Sequence, residues 1–138
     1  MIIWLMGKSG TGKSTIAKSF INDGWVNLDG DEMRESINKD CDLTKEGRAE
    51  NNYRIARLAK VLSRQHNVVV SVICPTNEIR RKVHGICKPI WVHVKRNIPE
   101  IFDQIYETPQ WFDLEINHNK LSRYMSVATI KDFIIQFT

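Results

Sequence analysis

The sequence lacks any apolar run that approaches the length of a membrane-spanning helix, so we expect no membrane partner. Cysteine is scarce: Cys41, Cys74 and Cys87 form no C-x-x-C pair and fit no zinc-ligand spacing. An odd number of unpaired cysteines predicts reduced thiols, and therefore a cytoplasmic protein. The net charge of +4 is only mildly basic and no stripe alternates basic with aromatic residues, so we expect no nucleic-acid partner.

The length of 138 residues, with 42% apolar and 26% charged side chains, predicts one globular domain over residues 1–138. Apolar runs typical of buried strands alternate with segments of helical spacing, which predicts an α/β fold. In such a fold right-handed crossovers wind a parallel sheet, with helices on both faces. We expect strands at residues 1–6, 25–28, 68–73, 90–94 and 113–117. We expect helices at about residues 13–22, 32–37, 44–65, 78–83, 98–105 and 127–137, with Thr44 as an N-cap.

The most informative motif is the run G-K-S-G-T-G-K-S-T at residues 7–15, which matches the P-loop pattern G-x-x-x-x-G-K-S/T in full. It follows an apolar strand and precedes a helical segment, so backbone N–H groups and the helix dipole would favour a bound phosphate. We therefore predict a P-loop NTPase fold in which Lys13 reaches the β- and γ-phosphates and Ser14 binds Mg²⁺. The predicted ATP-binding residues are Gly7, Ser9, Gly10, Thr11, Gly12, Lys13, Ser14 and Thr15.

Two carboxylates, Asp29 and Asp31, follow the second predicted strand, at the end of the sheet where open α/β folds bind ligands. Phosphoryl transfer needs a metal-bound phosphate and a positioned acceptor hydroxyl, and one carboxylate could serve each task. The alternative is an ordinary acidic turn that caps the next helix. Residues 68–73 contain no acid that could act as a Walker-B ligand, so Asp29 or Asp31 is the candidate metal ligand. Residues 117–120 read N-H-N-K rather than the guanine-reading N-K-x-D, which argues against a GTPase.

Together these elements resemble the adenylylsulfate kinase family, which phosphorylates the 3′-hydroxyl of adenosine 5′-phosphosulfate. The P-loop is common to many families, whereas D-G-D-x-x-R at residues 29–34 and R-x-E-N-x-x-R at residues 48–54 are far more specific. The resemblance covers about residues 1–96 and includes I-C-P at residues 73–75. Further along, Y-E-x-P at residues 106–109 is also similar to the family pattern.

The resemblance implies a role for each of several residues. The catalytic residues would be Lys13, Asp29 and Asp31, where Asp31 orients or deprotonates the 3′-hydroxyl and Asp29 lies on the magnesium side beside Ser14. The two aspartate roles could be exchanged. The acceptor-binding residues would be Asp31, Arg34, Arg48, Asn51, Ile73 and Cys74. The implied ligands are ATP, Mg²⁺ and a small phosphorylated or sulfated nucleotide, and a homodimer is an open alternative.

The chain also departs from the family pattern. Cys74 stands where the family commonly has serine, which favours direct in-line transfer without a phosphorylated enzyme. Before Tyr106 the family carries a longer segment that forms a basic lid with an aromatic stacked on the acceptor adenine, and this chain lacks that segment. The nearby aromatics that could replace the lid are Tyr106, Trp111 and Phe112, although packing of the terminal helix on the sheet is an equal alternative. Leu43 stands where the family often has phenylalanine.

Three alternatives follow from these departures. The first is a kinase for another nucleotide 3′-hydroxyl, such as that of a cytidine diphosphate derivative. The second is a kinase for a small sugar alcohol. The third is a nucleotide-binding partner module without activity, but the intact Lys13, Ser14, Asp29 and Asp31 argue against it.

Overall fold

The computed structural model describes residues 1–98 and 105–138, which contain a five-stranded parallel sheet. The order of the strands across the sheet is β2-β3-β1-β4-β5, and each neighbouring pair is parallel. This order confirms the α/β expectation. The strands are β1 (Ile2–Met6), β2 (Val26–Asp29), β3 (Val68–Ser71), β4 (Ile90–Lys95) and β5 (Leu114–Asn117).

Helices cover both faces of this sheet. They are α1 (Lys13–Ile21), α2 (Gly30–Glu35), α3 (Lys45–Leu62), α4 (Asn77–Cys87) and α5 (Arg123–Ile134), followed by a 3₁₀ turn, Ile135–Phe137. Successive residues of a strand point to opposite faces, so the fully apolar β1 contributes to two separate cores. Trp4 packs with the core that includes residues of α3 and α4, and Leu5 with the core that includes residues of α1 and α5. Among the helices described, none combines the length and the apolar composition that crossing a membrane requires.

Side-chain caps decide where several helices begin. The Thr44 hydroxyl accepts a hydrogen bond from the Gly47 N–H, which confirms Thr44 as the N-cap of α3. Ser122 caps α5 in the same way, so this helix starts four residues before the expected Val127. Thr76 caps α4, whose apolar positions then continue to Cys87 rather than ending at Val83. Helix α1 differs, because Gly12 precedes it in a left-handed conformation and no side-chain cap is found within the described residues.

Two other expectations need correction. The third strand ends at Ser71 instead of residue 73, because the backbone turns away from the sheet and Cys74 adopts a left-handed φ of 51°. Helix α2 begins at Gly30, two residues earlier than expected, because Asp29 caps it. The helix expected at residues 98–105 falls mainly on residues 99–104, which lie outside the described part of the chain.

Candidate active site

A cleft of about 610 Å³ lies at the carboxyl ends of the strands, where each strand leads into a loop. The P-loop after β1 lines it, together with the turn after β2, the loop after β3 and Arg96 after β4. The structure therefore brings most of the sequence-predicted site residues around one cavity. The predicted residues among those lining it are Ser9, Gly10, Gly12, Lys13, Ser14, Thr15, Asp29, Asp31, Arg34, Arg48, Ile73 and Cys74.

The P-loop is held in shape by its own polar groups. The Lys13 Nζ atom donates hydrogen bonds of 2.8 Å to the carbonyl oxygens of Gly7 and Lys8. The Thr11 hydroxyl donates to the Lys8 carbonyl oxygen over 3.0 Å. Gly10 and Gly12 adopt φ values of +84° and +98°, a backbone conformation that other residues rarely adopt. The loop therefore surrounds the Lys13 side chain, and the N–H groups at the end of the loop lie at the start of α1.

Lys13 is a buried cation. Only 8% of its surface is exposed, and this desolvation lowers its pKa to about 8, while the carboxylates of Asp29 and Asp31 act in the opposite direction. A phosphate group placed in the cleft would add negative charge beside the ammonium group. Such a ligand would therefore restore the charged form that burial disfavours.

Asp29 has two structural roles at once. Its Oδ2 atom accepts hydrogen bonds from the N–H groups of Asp31 and Glu32 at 3.1 Å each, which caps α2. Its Oδ1 atom accepts a hydrogen bond of 3.1 Å from the Ser14 hydroxyl at the start of α1. The capping alternative is therefore correct for Asp29, but the cap leaves the second carboxylate oxygen facing the P-loop.

The Ser14 and Asp29 oxygens are suitable ligands for Mg²⁺. They are hard donors, and in phosphoryl-transfer sites this ion is held by one or two protein oxygens with phosphates and water completing its shell. Within residues 1–98 and 105–138, no group of three or more histidine, cysteine or acidic side chains could hold a metal by itself. A cation here would thus depend on the phosphates of a bound nucleotide.

Asp31 and Arg34 form the side of the cleft next to α2. The Asp31 side chain is 89% exposed, and its Oδ1 atom lies 3.4 Å from Nη1 of Arg34, whose side chain is 24% exposed. The Nε–H of Arg34 is buried and has no hydrogen-bond partner among the described residues. The carboxylate of Asp31 is therefore accessible to a hydroxyl group, and the guanidinium of Arg34 retains donors for an anion.

The first half of α3 also contributes to the lining of the cleft, and of its two adjacent asparagines only Asn52 is among the lining residues. Arg48 lines the cleft while its Nε donates a hydrogen bond of 2.8 Å to the Leu43 carbonyl oxygen. Asn51, a predicted acceptor-binding residue, is fully buried and is not among the lining residues. Its Oδ1 atom accepts a hydrogen bond of 2.9 Å from Asn38, and its Nδ2 atom donates one of 3.5 Å to the Gly30 carbonyl oxygen. Asn51 therefore supports the backbone between the two aspartates without lining the cleft.

Asn52 lines the cleft although the sequence analysis did not single it out. Its Nδ2 donates a hydrogen bond of 2.9 Å to the Arg48 carbonyl oxygen, and its Oδ1 is buried without a partner among the described residues. Residues four apart on a helix share a face. The spacing from Arg48 could therefore have identified Asn52.

The loop after β3 is fixed by Arg80, a second residue whose role the sequence did not reveal. The Arg80 Nε donates a hydrogen bond of 3.0 Å to the Cys74 carbonyl oxygen, and Nη2 donates one of 2.8 Å to the Glu107 carbonyl oxygen. The Cys74 thiol is fully buried, which raises its pKa to about 12. A thiol in that state is a poor nucleophile.

The aromatics of the shortened segment lie away from the cleft. The Trp111 ring packs edge-on against Trp91 of β4, with centroids 6.1 Å apart, and against His84 of α4 at 5.2 Å. Tyr106 lies beneath the Arg80 guanidinium and beside His93. Neither Tyr106, Trp111 nor Phe112 is among the residues that line the cleft. They pack on the α4 side of the sheet, not against the terminal helix.

Comparisons with known proteins agree with this geometry. The family model for adenylylsulphate kinase matches residues 1–106. An adenylyl-sulfate kinase of Bacillus pumilus is 32% identical over 165 residues, covering 96% of this chain and 84% of the relative. One from Bacillus velezensis is 30% identical with the same coverage. The first alignment is longer than this whole chain, so the relative has residues without a counterpart here, as expected for a missing segment.

Solved structures give the same result. The Mycobacterium tuberculosis APS kinase CysC in complex with AMPPNP and APS superimposes with a TM-score of 0.83 at 26% identity, over 97% of this chain and 96% of that one. A gluconokinase from Sinorhizobium meliloti, at a TM-score of 0.71 and 16% identity over 98% of this chain and 91% of that one, shares the fold alone. The chain belongs to the adenylylsulfate kinase family, a family of ATP-dependent phosphotransferases with alcohol acceptors.

Proposed function

We propose that this protein transfers the γ-phosphate of ATP to the 3′-hydroxyl of adenosine 5′-phosphosulfate in the presence of Mg²⁺. The observation that carries this proposal is that one cleft joins Lys13 and the Ser14–Asp29 pair to an exposed Asp31 flanked by Arg34. A donor and an acceptor site thus meet at the ends of β1 and β2. The relative from Bacillus pumilus bears the name of this activity.

On the donor side, the N–H groups of the P-loop and the N-terminus of α1 would bind the phosphates of ATP. Lys13 would exchange its two carbonyl contacts for phosphate oxygens and stabilise charge on the transferred group. Ser14 and Asp29 would hold Mg²⁺, which when bound neutralises negative charge on the phosphates. Their hydrogen bond places both oxygens within reach of one ion.

On the acceptor side, Arg34 and Arg48 would bind the phosphosulfate, because guanidinium groups match two oxygens of such an anion. Asp31 would accept a hydrogen bond from the 3′-hydroxyl and orient it for in-line attack. The high exposure of the Asp31 side chain leaves its carboxylate accessible to that hydroxyl group. Asn51 would act indirectly, by holding the Gly30 carbonyl oxygen between the two aspartates.

A second candidate is phosphorylation of a different acceptor, such as the 3′-hydroxyl of a cytidine diphosphate derivative or a small sugar alcohol. It is favoured by one observation: among the described residues that line the cleft, none is aromatic, and Leu43 is 63% exposed. A purine acceptor therefore lacks a stacking partner in this part of the structure. The phosphate-binding residues do not depend on the identity of that base.

The test measures ADP release with ATP, Mg²⁺ and one acceptor at a time: adenosine 5′-phosphosulfate, adenosine monophosphate, a cytidine diphosphate derivative, a sugar alcohol, or none. We expect release with adenosine 5′-phosphosulfate and formation of its 3′-phosphorylated product. Lys13→Ala serves as the control, and it should lose about 10²–10³ in rate. Faster release with another acceptor would replace the proposed substrate. Nucleotide binding without transfer to any acceptor would favour a partner module.

A further inference from the structure

His118, directly after β5, bonds to the P-loop although it is distant from it in sequence. Its Nδ1 atom lies 2.6 Å from the carbonyl oxygen of Thr11. A carbonyl oxygen only accepts hydrogen bonds, so Nδ1 carries the hydrogen and donates it. The contact therefore links the last strand of the sheet to the loop that follows the first.

The imidazole ring also lies against the backbone of Gly12. A Cβ atom at Gly12 would be 2.6 Å from Nδ1 and 2.7 Å from Cε1 of His118, so close that the ring or the loop would have to shift. Glycine is thus required at this position for two reasons, the close approach of the ring and the φ of +98°. The ring and the peptide between Thr11 and Gly12 are packed in direct contact.

The segment that carries His118 is itself held by hydrogen bonds. The Asn117 carbonyl oxygen accepts bonds of 3.0 Å from the N–H groups of Lys120 and Leu121. The side chain of Asn119 accepts a bond of 3.0 Å from the Asn97 N–H, in the chain that leaves β4. His118 is therefore presented from a constrained turn and not from a free loop.

We propose that His118 is a positioning residue that directs the Gly12 N–H into the phosphate-binding cleft. In a trans peptide the C=O and the N–H point in opposite directions, and no peptide bond of the described chain is cis. A bond that fixes the Thr11 carbonyl oxygen against His118 consequently turns the Gly12 N–H away from His118. Gly12 lines the cleft. This inference rests on the ATP-binding half of the proposed function and not on the acceptor.

A purely structural role accounts less well for this side chain. The Nε2 atom of His118 is buried and has no hydrogen-bond partner among the described residues. Burying an unpaired polar atom destabilises a fold, whereas an apolar side chain of similar size would fill the same space without that penalty. What histidine supplies here and an apolar residue such as leucine could not is the hydrogen-bond donor at Nδ1.

The test compares the affinity of three proteins for ATP with Mg²⁺, measured by calorimetry without any acceptor. His118→Leu keeps a branch at the position of Nδ1 but removes the donor, and we expect ATP binding to weaken about three- to tenfold. His118→Asn places its Nδ2 donor at that same position, and we expect affinity within about twofold of the original. His66→Ala, at an exposed histidine beyond the C-terminal end of α3, is the matched control and should change nothing.

Kinetics and stability separate positioning from structure. His118→Leu should raise the KM for ATP while leaving the KM for the acceptor and the unfolding temperature close to their original values. Unchanged ATP affinity in His118→Leu would overturn the inference, and so would an equal loss in His118→Leu and His118→Asn. A wild-type protein that binds ATP but leaves adenosine 5′-phosphosulfate unmodified would overturn the acceptor assignment alone.

Discussion

The Ser14 hydroxyl donates a hydrogen bond of 3.1 Å to Oδ1 of Asp29, which connects the first residues of α1 to the end of β2. The bond joins the two segments that the sequence identified separately, the P-loop and the D-G-D turn. Because Oδ2 of Asp29 is already used to cap α2, each oxygen of this carboxylate has a distinct task. The two tasks can be separated by substitution.

Asp29→Asn should raise the Mg²⁺ concentration needed for half-maximal activity, because asparagine has only one side-chain oxygen, and when that oxygen caps α2 the NH₂ group that faces the P-loop cannot bind the ion. Stability should change little, since asparagine is as good an N-cap as aspartate. Asp29→Ala should raise the Mg²⁺ requirement as well and in addition cost about 1 kcal/mol of unfolding free energy. Magnesium titration of activity and chemical denaturation measure the two effects. An Asp29→Asn variant with an unchanged Mg²⁺ requirement would leave this residue as a helix cap only.

Asp31→Asn should lower kcat while leaving ATP affinity nearly intact. The Asp31 carboxylate is exposed toward the acceptor side, and its loss removes the group that would orient the attacking hydroxyl. Steady-state kinetics and ATP titration by calorimetry give the two quantities. Glu32→Gln, one residue further along the same helix and exposed, is the matched control and should be neutral. If the Asp31→Asn variant instead shows the higher Mg²⁺ requirement, the roles of the two aspartates are exchanged.

The buried state of Lys13 predicts how ATP affinity depends on pH. Its pKa of about 8 in the free protein means that Lys13 loses its proton as the pH rises through that value. Bound phosphate favours the charged form, so the pKa is higher in the complex and binding takes up a proton above about pH 8. Affinity should therefore be steady below that pH and weaken above it, by up to about tenfold per pH unit.

Calorimetric titration from about pH 7 to about pH 9.5 tests this, with proton uptake measured in buffers of different ionisation enthalpy. Lys13→Ala provides the comparison, since its weaker binding should not vary over the same range. Proton uptake that is equal in both proteins would assign the titration to a different group.

Cys74 should tolerate both Ser and Ala with kcat preserved. Its thiol is buried, burial raises the pKa of that thiol to about 12, and Arg80 holds the Cys74 backbone through a hydrogen bond to its carbonyl oxygen. Direct transfer has no step for this side chain. A stability loss of roughly 1 kcal/mol is expected for either variant, because each changes a close-packed site. Activity assays and denaturation curves measure these effects. A phosphoryl group trapped on Cys74 would overturn direct transfer.

The sequence was sufficient for the fold through its local patterns, and for most of the cavity lining through the P-loop motif and the family resemblance, which supplied Arg34, Arg48, Ile73 and Cys74. The apolar runs of β1 and β3 can be buried only in the middle of a sheet, and the P-loop carries its own glycines. The family motif pointed to Asn51, but about 100° of helix rotation separates adjacent residues, and only Asn52, four residues after Arg48, lines the cavity with it. The sequence could not reveal that His118 contacts the P-loop, because its partner Thr11 is far away in sequence. The cytoplasmic location and the homodimer stay predictions.

Substitutions at Trp111 test whether the shortened segment around Tyr106, Trp111 and Phe112 takes the place of the family's lid. The ring is 45% exposed, lies against Trp91 and His84, and is not among the residues that line the cleft. We therefore expect Trp111→Ala to reduce the free energy of unfolding by about 1–2 kcal/mol through lost aromatic packing, with ATP and acceptor KM unchanged.

Trp111→Phe is the matched control for that substitution. It keeps an aromatic edge against Trp91 and should recover most of the stability. Denaturant unfolding of the three proteins, followed by kinetics with adenosine 5′-phosphosulfate as the proposed acceptor, provides both measurements. If Trp111 stacked on the acceptor base, the Ala variant would lose about 1–3 kcal/mol of acceptor binding with unfolding unaffected. In the present structure the Trp111 ring packs on the α4 side of the sheet. That result would therefore mean that the ring moves over the cleft during the reaction.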